Sequence, residues 1–236
     1  MRGRWILRPS LLWLTLLRVG VSSPADAQNQ PVVVAILPFQ DLGSYGQDKE
    51  VSRALQLGIP ATIAGELANH PELRLADPAP VDRAFRSGLD ATTRVDAATA
   101  ARLGKEAGAR YAITGSFADF YGKIRLDARV VDSESGEILK IVSNDPSQSD
   151  RSQLYRIIQS VGHKVLAACN PGASATSASA NETRSIPTDA LIEYSLGLLS
   201  EHSGDRTRAL QHYQKALGTF SDYPDAKAAL ARVQSP

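Results

Sequence analysis

The stretch Tyr111–Val142 constrains this chain more than any other, because its side chains alternate with a period of two. Ile124, Leu126, Ala128 and Val130 fall on one side, and Arg125, Asp127 and Arg129 fall on the other. An extended strand with one buried and one wet face presents residues in that order. Upstream, Tyr111, Ile113 and Phe117 hold alternate positions, with Gly115 in register between them, and Gly122 marks a turn. Asp132-Ser-Glu-Ser-Gly136 carries turn chemistry before Glu137–Val142 returns as a third strand. The segment reads as a β-meander. Its acidic residues sit where turns and a solvated face need them, and Asp132/Glu134 and Asp145/Asp150 are turn residues before they are carboxylate pairs.

The flanking segments supply the rest of an α/β pattern. Pro31–Phe39 (PVVVAILPF) is a continuous apolar run, as a strand covered on both faces requires. Gln40–Asp48 is a polar loop. Val51–Asn69 repeats Leu55, Ile59, Ile63 and Leu67 four apart on one helical face. Pro60 stands in its middle and predicts a broken helix. Glu72–Ala76 alternates as a second strand. Pro80–Ser87 fits a short helix ending at Gly88, and Asp96–Ala107 fits another, with Asp96 as its N-cap and Gly108 past its end. Gln153–Cys169 closes the pattern as a helix with Leu154, Ile157, Ile158, Val161 and Val165 on one side. The order implies an α/β (α+β) sandwich in which helices cover a mixed sheet.

The ends bound the setting. Arg2, Arg4 and Arg8 precede the apolar run Leu11–Leu17, and Ala25-x-Ala27 follows, which is the pattern of a signal peptide over residues 1–27 cleaved before Gln28. The run is shorter than the about 20 residues of a membrane-spanning helix; retention as an N-terminal anchor is the alternative. No Cys near the cleavage site offers an acceptor for a lipid anchor, so the expected location is periplasmic or secreted. Cleavage removes Arg2, Arg4, Arg8 and Arg18 from the 26 Lys and Arg, and Asp26 from the 25 Asp and Glu, leaving a near-neutral chain. That balance gives no electrostatic case for nucleic acid. The single cysteine, Cys169, permits no internal disulfide; it reads as a small buried apolar residue, or else as a link between two chains.

Between Asn170 and Pro187 small and polar residues dominate without apolar periodicity, which reads as a flexible linker. The chain thus divides into an α/β domain over 31–169, the linker 170–187 and a helical segment over 188–234. No Gly-rich phosphate turn follows the first strand, where Pro38-Phe39-Gln40 stands instead. His70, His163, His202 and His212 lack the local context of a Ser-His-acid or Cys-His set; His202 and His212 read as surface residues. No clustered His and Cys offer a metal site. The expectation is a non-enzymatic chain with no cofactor, no metal and no evident small-molecule ligand.

Three motifs carry a family resemblance. Leu37-Pro38-Phe39 ends the first strand, Gly108-Ala109-x-Tyr111-x-Ile113-x-Gly115-Ser116 opens the meander, and Val131-Asp132-x-x-Ser135-Gly136-Glu137 makes its second turn. Over about Pro31–Ala168 the chain resembles the periplasmic domain of the curli-secretion channel protein CsgG and the amino-terminal domain of TolB. Related folds occur in lipoproteins that activate peptidoglycan synthases. The resemblance implies a cell-envelope setting. It departs from the channel members in lacking an N-terminal lipidated Cys and the long amphipathic hairpins of a membrane barrel.

After the linker, Ala190–Tyr223 resembles one tetratricopeptide (TPR) repeat, through Leu196-Gly197, Gly204-Asp205, Ala209, Tyr213 and Ala216-Leu217. In that reading small residues let two helices approach and Tyr213 fills the space between them; Glu193 stands at the usual Trp position, and Asp225–Val233 forms a capping helix. A lone repeat must pack on the first domain, on a second copy or on a partner. Such helices offer a groove for a protein partner, with Tyr194, Leu198 and Glu201 as candidate contacts. The loop Gln40–Asp48 and the meander edge are further candidate surfaces, and peripheral membrane contact is compatible with all of this. Together these features predict an exported adaptor or assembly factor for a cell-envelope complex. A homo-oligomeric component of an outer-membrane secretion channel is the alternative, with self-association as its mark.

Overall fold

The first strand, β1 (Val32–Asp41), shows how the sheet is built. Val34 and Ile36 face one apolar cluster while Ala35 and Leu37 face another, so both faces of the strand are covered. That is why its sequence is apolar throughout rather than alternating. β1 pairs in parallel with β2 (Leu73–Leu75) on one side and with β3 (Tyr111–Phe120) on the other. β3 then pairs antiparallel with β4 (Lys123–Asp132), and β4 with β5 (Ile138–Ser143). The result is a five-stranded mixed sheet in the order β2-β1-β3-β4-β5, with the predicted meander as its antiparallel half. The computed structural model describes residues 30–46, 48–86, 95–170 and 185–235. The expected leader, Gly88 and nearly all of the expected linker lie outside the described residues.

Helices cover both faces because the strand order reverses direction at β1. A crossover from β1 to β2 runs one way across the sheet and the crossover from β2 to β3 runs the other, so a common hand places their helices on opposite sides. On one side α1 (Lys49–Ala68) and α4 (Leu154–Cys169) bury Leu55, Ile59, Ile63, Ile158 and Val161 against Ile124, Leu126, Ala128 and Val130. On the other side α2 (Ala79–Arg86) and α3 (Ala97–Glu106) bury Val81, Ala100 and Leu103 against Ala35, Leu37 and Ala112. Asp96 caps α3 as expected, its carboxylate accepting from the Thr99 N–H at 2.8 Å.

One expectation about these elements needs correction. Pro60 does not break the first helix, which runs unbroken for 20 residues. Pro60 itself is buried, and α1 is clamped between the sheet and a further helix, so tertiary packing holds the helix through the missing N–H. In β3, Ala112–Ala118 are buried on both faces, because β3 is the central strand with helices on both sides.

The proline in β1 has its own effect. Pro38 brings no N–H to the ladder, and the pairing of β1 with β3 shifts register between Ile36 and Phe39. The shift returns Phe39 to the face used by Val34 and Ile36 and sets it opposite Gly115. A Cβ added at Gly115 would lie 2.3 Å from Phe39 Cε2 and 2.5 Å from the Asp127 carbonyl oxygen. The Leu-Pro-Phe and Gly-Ser segments, 76 positions apart at Phe39 and Gly115, are therefore two halves of one contact.

The last three helices are α5 (Thr188–His202), α6 (Arg206–Thr219) and α7 (Pro224–Gln234). Of the three packing solutions open to them, they take the first: α5 lies on α1. The described residues from Pro31 onward form one compact unit. Tyr194, Tyr213, Tyr223 and Ala226 belong to the same apolar cluster as α1 and α4.

Candidate partner groove

The surface around Leu198 and Glu201 depends on how α5 reaches α1. A Cβ added at Gly58 of α1 would fall 1.8 Å from Ser195 Oγ of α5, so the two helices meet at near backbone distance. The Ser195 hydroxyl is turned back to its own helix and donates to the Leu191 carbonyl at 2.7 Å. α5 and α6 approach in the same manner, with Gly197 under the Tyr213 ring, where a Cβ would lie 2.3 Å from Cε1. Small residue against tyrosine is the arrangement the sequence predicted at this pair. Two further bonds fix the docking: Arg208 of α6 pairs with Glu50 of α1 at 2.8 Å, and the Thr188 hydroxyl donates to the Arg151 carbonyl at 2.9 Å.

The three candidate contacts have different fates. Tyr194 is buried, its ring 5.9 Å from that of Tyr213 and 5.1 Å from that of Tyr223, so it serves the core. Leu198 is half-buried and lines a groove of about 530 Å³. Glu201 lines the same groove and joins three helices. Its carboxylate accepts from Arg232 Nε and Nη2 at 2.9 and 2.8 Å, and from the Tyr213 hydroxyl at 2.7 Å. Burial pushes this carboxyl up, and the hydrogen bonds from Arg232 and Tyr213 outweigh it, leaving the group below its ordinary range.

The opposite wall comes from the α/β part. Leu57 and Ala61 of α1 and Pro78 and Asp82 at the start of α2 face Leu198, Glu201 and His202. A smaller groove of about 200 Å³ shares Leu57 and His202 and runs on to Arg53, Phe85 and Leu199. Asp82 lines the larger groove and Arg53 the smaller one. Leu57 and Ala61 were missed in the sequence although a signal exists: they repeat four apart, beside the stripe that faces the sheet. Arg232 was missed because only the fold brings α7 to Glu201.

The remaining singled-out residues sit as follows. His212 is not a surface residue: it is buried on α6, with Nδ1 2.7 Å from the Glu193 carboxylate of α5. His202 lines the groove. Cys169 is buried, and burial pushes its thiol up to about 12. At the meander edge Ile138, Leu139 and Ile141 are exposed. Among the described residues no group of three His, Cys, Asp or Glu is placed to hold a metal ion, and no helix is long and apolar enough to cross a membrane.

No protein-family model matches the chain, and no curated protein matches it. Solved structures do. The LpoB C-terminal domain from Salmonella enterica is 15% identical, with a TM-score of 0.38, over 49% of this chain and 82% of that one. Lipoprotein GNA1162 from Neisseria meningitidis is 18% identical, with a TM-score of 0.38, over 58% and 97%. PelC from Paraburkholderia phytofirmans, solved as a dodecamer, is 14% identical, with a TM-score of 0.34, over 60% and 90%. These are an LpoB domain, a small lipoprotein and PelC, rather than the CsgG channel protein or TolB to which the sequence motifs pointed.

Proposed function

We propose that this chain is an exported, non-enzymatic adaptor or assembly factor of the cell envelope, which binds a protein partner in the groove between α1, α2, α5 and α7. The observation that carries the reading is the composition of that groove. Its walls come from both halves of the chain, and its lining combines apolar Leu57, Ala61 and Leu198 with the paired charges of Glu201 and Arg232. A lining that sets apolar side chains beside a charged pair suits a partner helix or extended peptide. The export part of the reading rests on the signal-peptide pattern over residues 1–27.

The test is quantitative co-purification from cells expressing the tagged full-length chain. The wild type is expected to retain a discrete envelope protein. The pair Leu57→Gln and Asp82→Lys, at half-buried and exposed positions, is expected to lose that protein by about tenfold, which is about 1.4 kcal/mol. Equal recovery by wild type and variant would overturn the reading.

A further inference from the structure

Four of the large exposed apolar side chains gather at one end of the sheet. Leu42 is 59% exposed, Tyr45 55%, Phe120 51% and Tyr121 83%. They come from two segments, the loop after β1 and the turn between β3 and β4. The rings of Tyr45 and Phe120 stack at 5.9 Å, and those of Tyr45 and Tyr121 at 6.4 Å, each pair 24° from parallel.

The backbone beneath them is pinned. Tyr45 N–H donates to the Asp119 carbonyl at 2.7 Å, and Asp119 N–H donates to the Ser44 hydroxyl at 3.1 Å. The fully buried Asp119 carboxylate accepts from Gly122 N–H at 2.6 Å and from Arg151 at 3.0 Å. The turn itself holds Tyr121 and Gly122 at φ of 52° and 90°. Such two-residue turns favour Asn, Asp or Gly at both places. A tyrosine there is held against its backbone preference with its ring in solvent, which is an outlier that points to function.

We propose that this aromatic tip seats in the lipid–water interface of a bilayer. Its size argues against a folded partner. At about 200 Å² for a side chain of this kind, the four expose on the order of 500 Å². A standard protein interface takes about 800 Å² from each side. Its shape argues against a peptide, since peptides are taken into grooves or onto sheet edges, and none of the four residues lines either groove described above. An interfacial lipid contact needs only a small protruding patch, with tyrosines whose rings enter the acyl boundary while their hydroxyls stay at the headgroups. Lys123, two residues past Tyr121, is exposed beside the tip and pairs loosely with Asp150 at 3.7 Å, and a long side chain of this kind can reach headgroups while the rings lie deeper. The contact is peripheral and separate from the groove.

The experiment places an environment-sensitive fluorophore beside the tip through Lys123→Cys in the full-length chain; native Cys169 is buried and stays unlabelled. Vesicles of phosphatidylethanolamine and phosphatidylglycerol are added, with and without lipid-borne quenchers. The expected result is a blue shift of emission and its loss to the quenchers. Adding Tyr121→Gly and Phe120→Ser should abolish both; Tyr121→Gly relieves the positive φ, so the variant keeps its fold, which thermal melting checks. No shift in the parent overturns the proposal, even if the chain binds the vesicles through its N-terminal apolar run. A shift that survives ring removal overturns it as well.

Discussion

At the scale of single residues the fold depends on a few positions where no atom can be added. Gly115 is the clearest, with the Phe39 ring and the Asp127 carbonyl oxygen both inside contact distance of an added Cβ. Gly115→Ala is expected to destabilise the chain by about 1–3 kcal/mol, the usual range for overpacking. Phe39→Leu, costly on its own, should recover part of that loss in the double variant, and a double-mutant cycle of chemical denaturation measures the coupling. Additive losses would show that the two residues do not share one site. The sequence made Gly115 legible as a strand position and Leu-Pro-Phe as a strand end. It did not show that the two touch, because that depends on a register shift at Pro38. Tyr194 was illegible for a related reason. An aromatic on a helix face looks the same whether it meets a partner or the rings of Tyr213 and Tyr223.

At the scale of elements, the periods of two and near four located nearly every strand and helix. They failed where neighbours outweighed local preference. Pro60 costs about 3 kcal/mol in a helix interior, yet α1 spans it because the sheet lies on one side and α5 on the other. The α1–α5 contact is the junction on which the groove depends, and at Gly58 it leaves no room for a side chain. Gly58→Leu is expected to drive α5 from α1 and to raise hydrogen exchange in α5 and α6 while β3 and β4 stay protected. Protection unchanged in all four elements would mean that α1 and α5 are not packed as closely as Gly58 and Ser195 require. The groove's α5 side was readable from the repeat-like pattern, but its α1 side was not, since nothing local tells which apolar stripe of α1 faces the sheet and which faces another helix.

At the scale of the whole molecule, one apolar cluster runs from the sheet through α1 and α4 into α5, α6 and α7, so the chain should unfold in a single transition. Its pH dependence follows from the turn and cap carboxylates. Asp96 is held below its ordinary range by the Thr99 N–H, Asp132 by the N–H groups of Ser135 and Glu134, Asp145 by Ser147 and Asp150 by Ser152. A carboxyl whose folded value is lowered contributes stability above its unfolded value, about 3.9 for Asp, and loses it as pH falls through the folded value. Stability should therefore be flat from neutral pH down to about 5 and decline below about 4. Melting temperatures across that range check it, and a decline already complete near pH 6 would contradict it.

The central claim is that the two halves of the chain together make a partner surface. Photo-cross-linking in living cells tests it most directly, with the reactive side chain placed in turn at Leu198, at Leu57 and, as a control, at exposed Ile141 on the meander edge. The account predicts the same envelope protein joined from Leu198 and Leu57, and not from Ile141. Products formed from Ile141 alone, or a ladder of the chain joined only to itself, would contradict it.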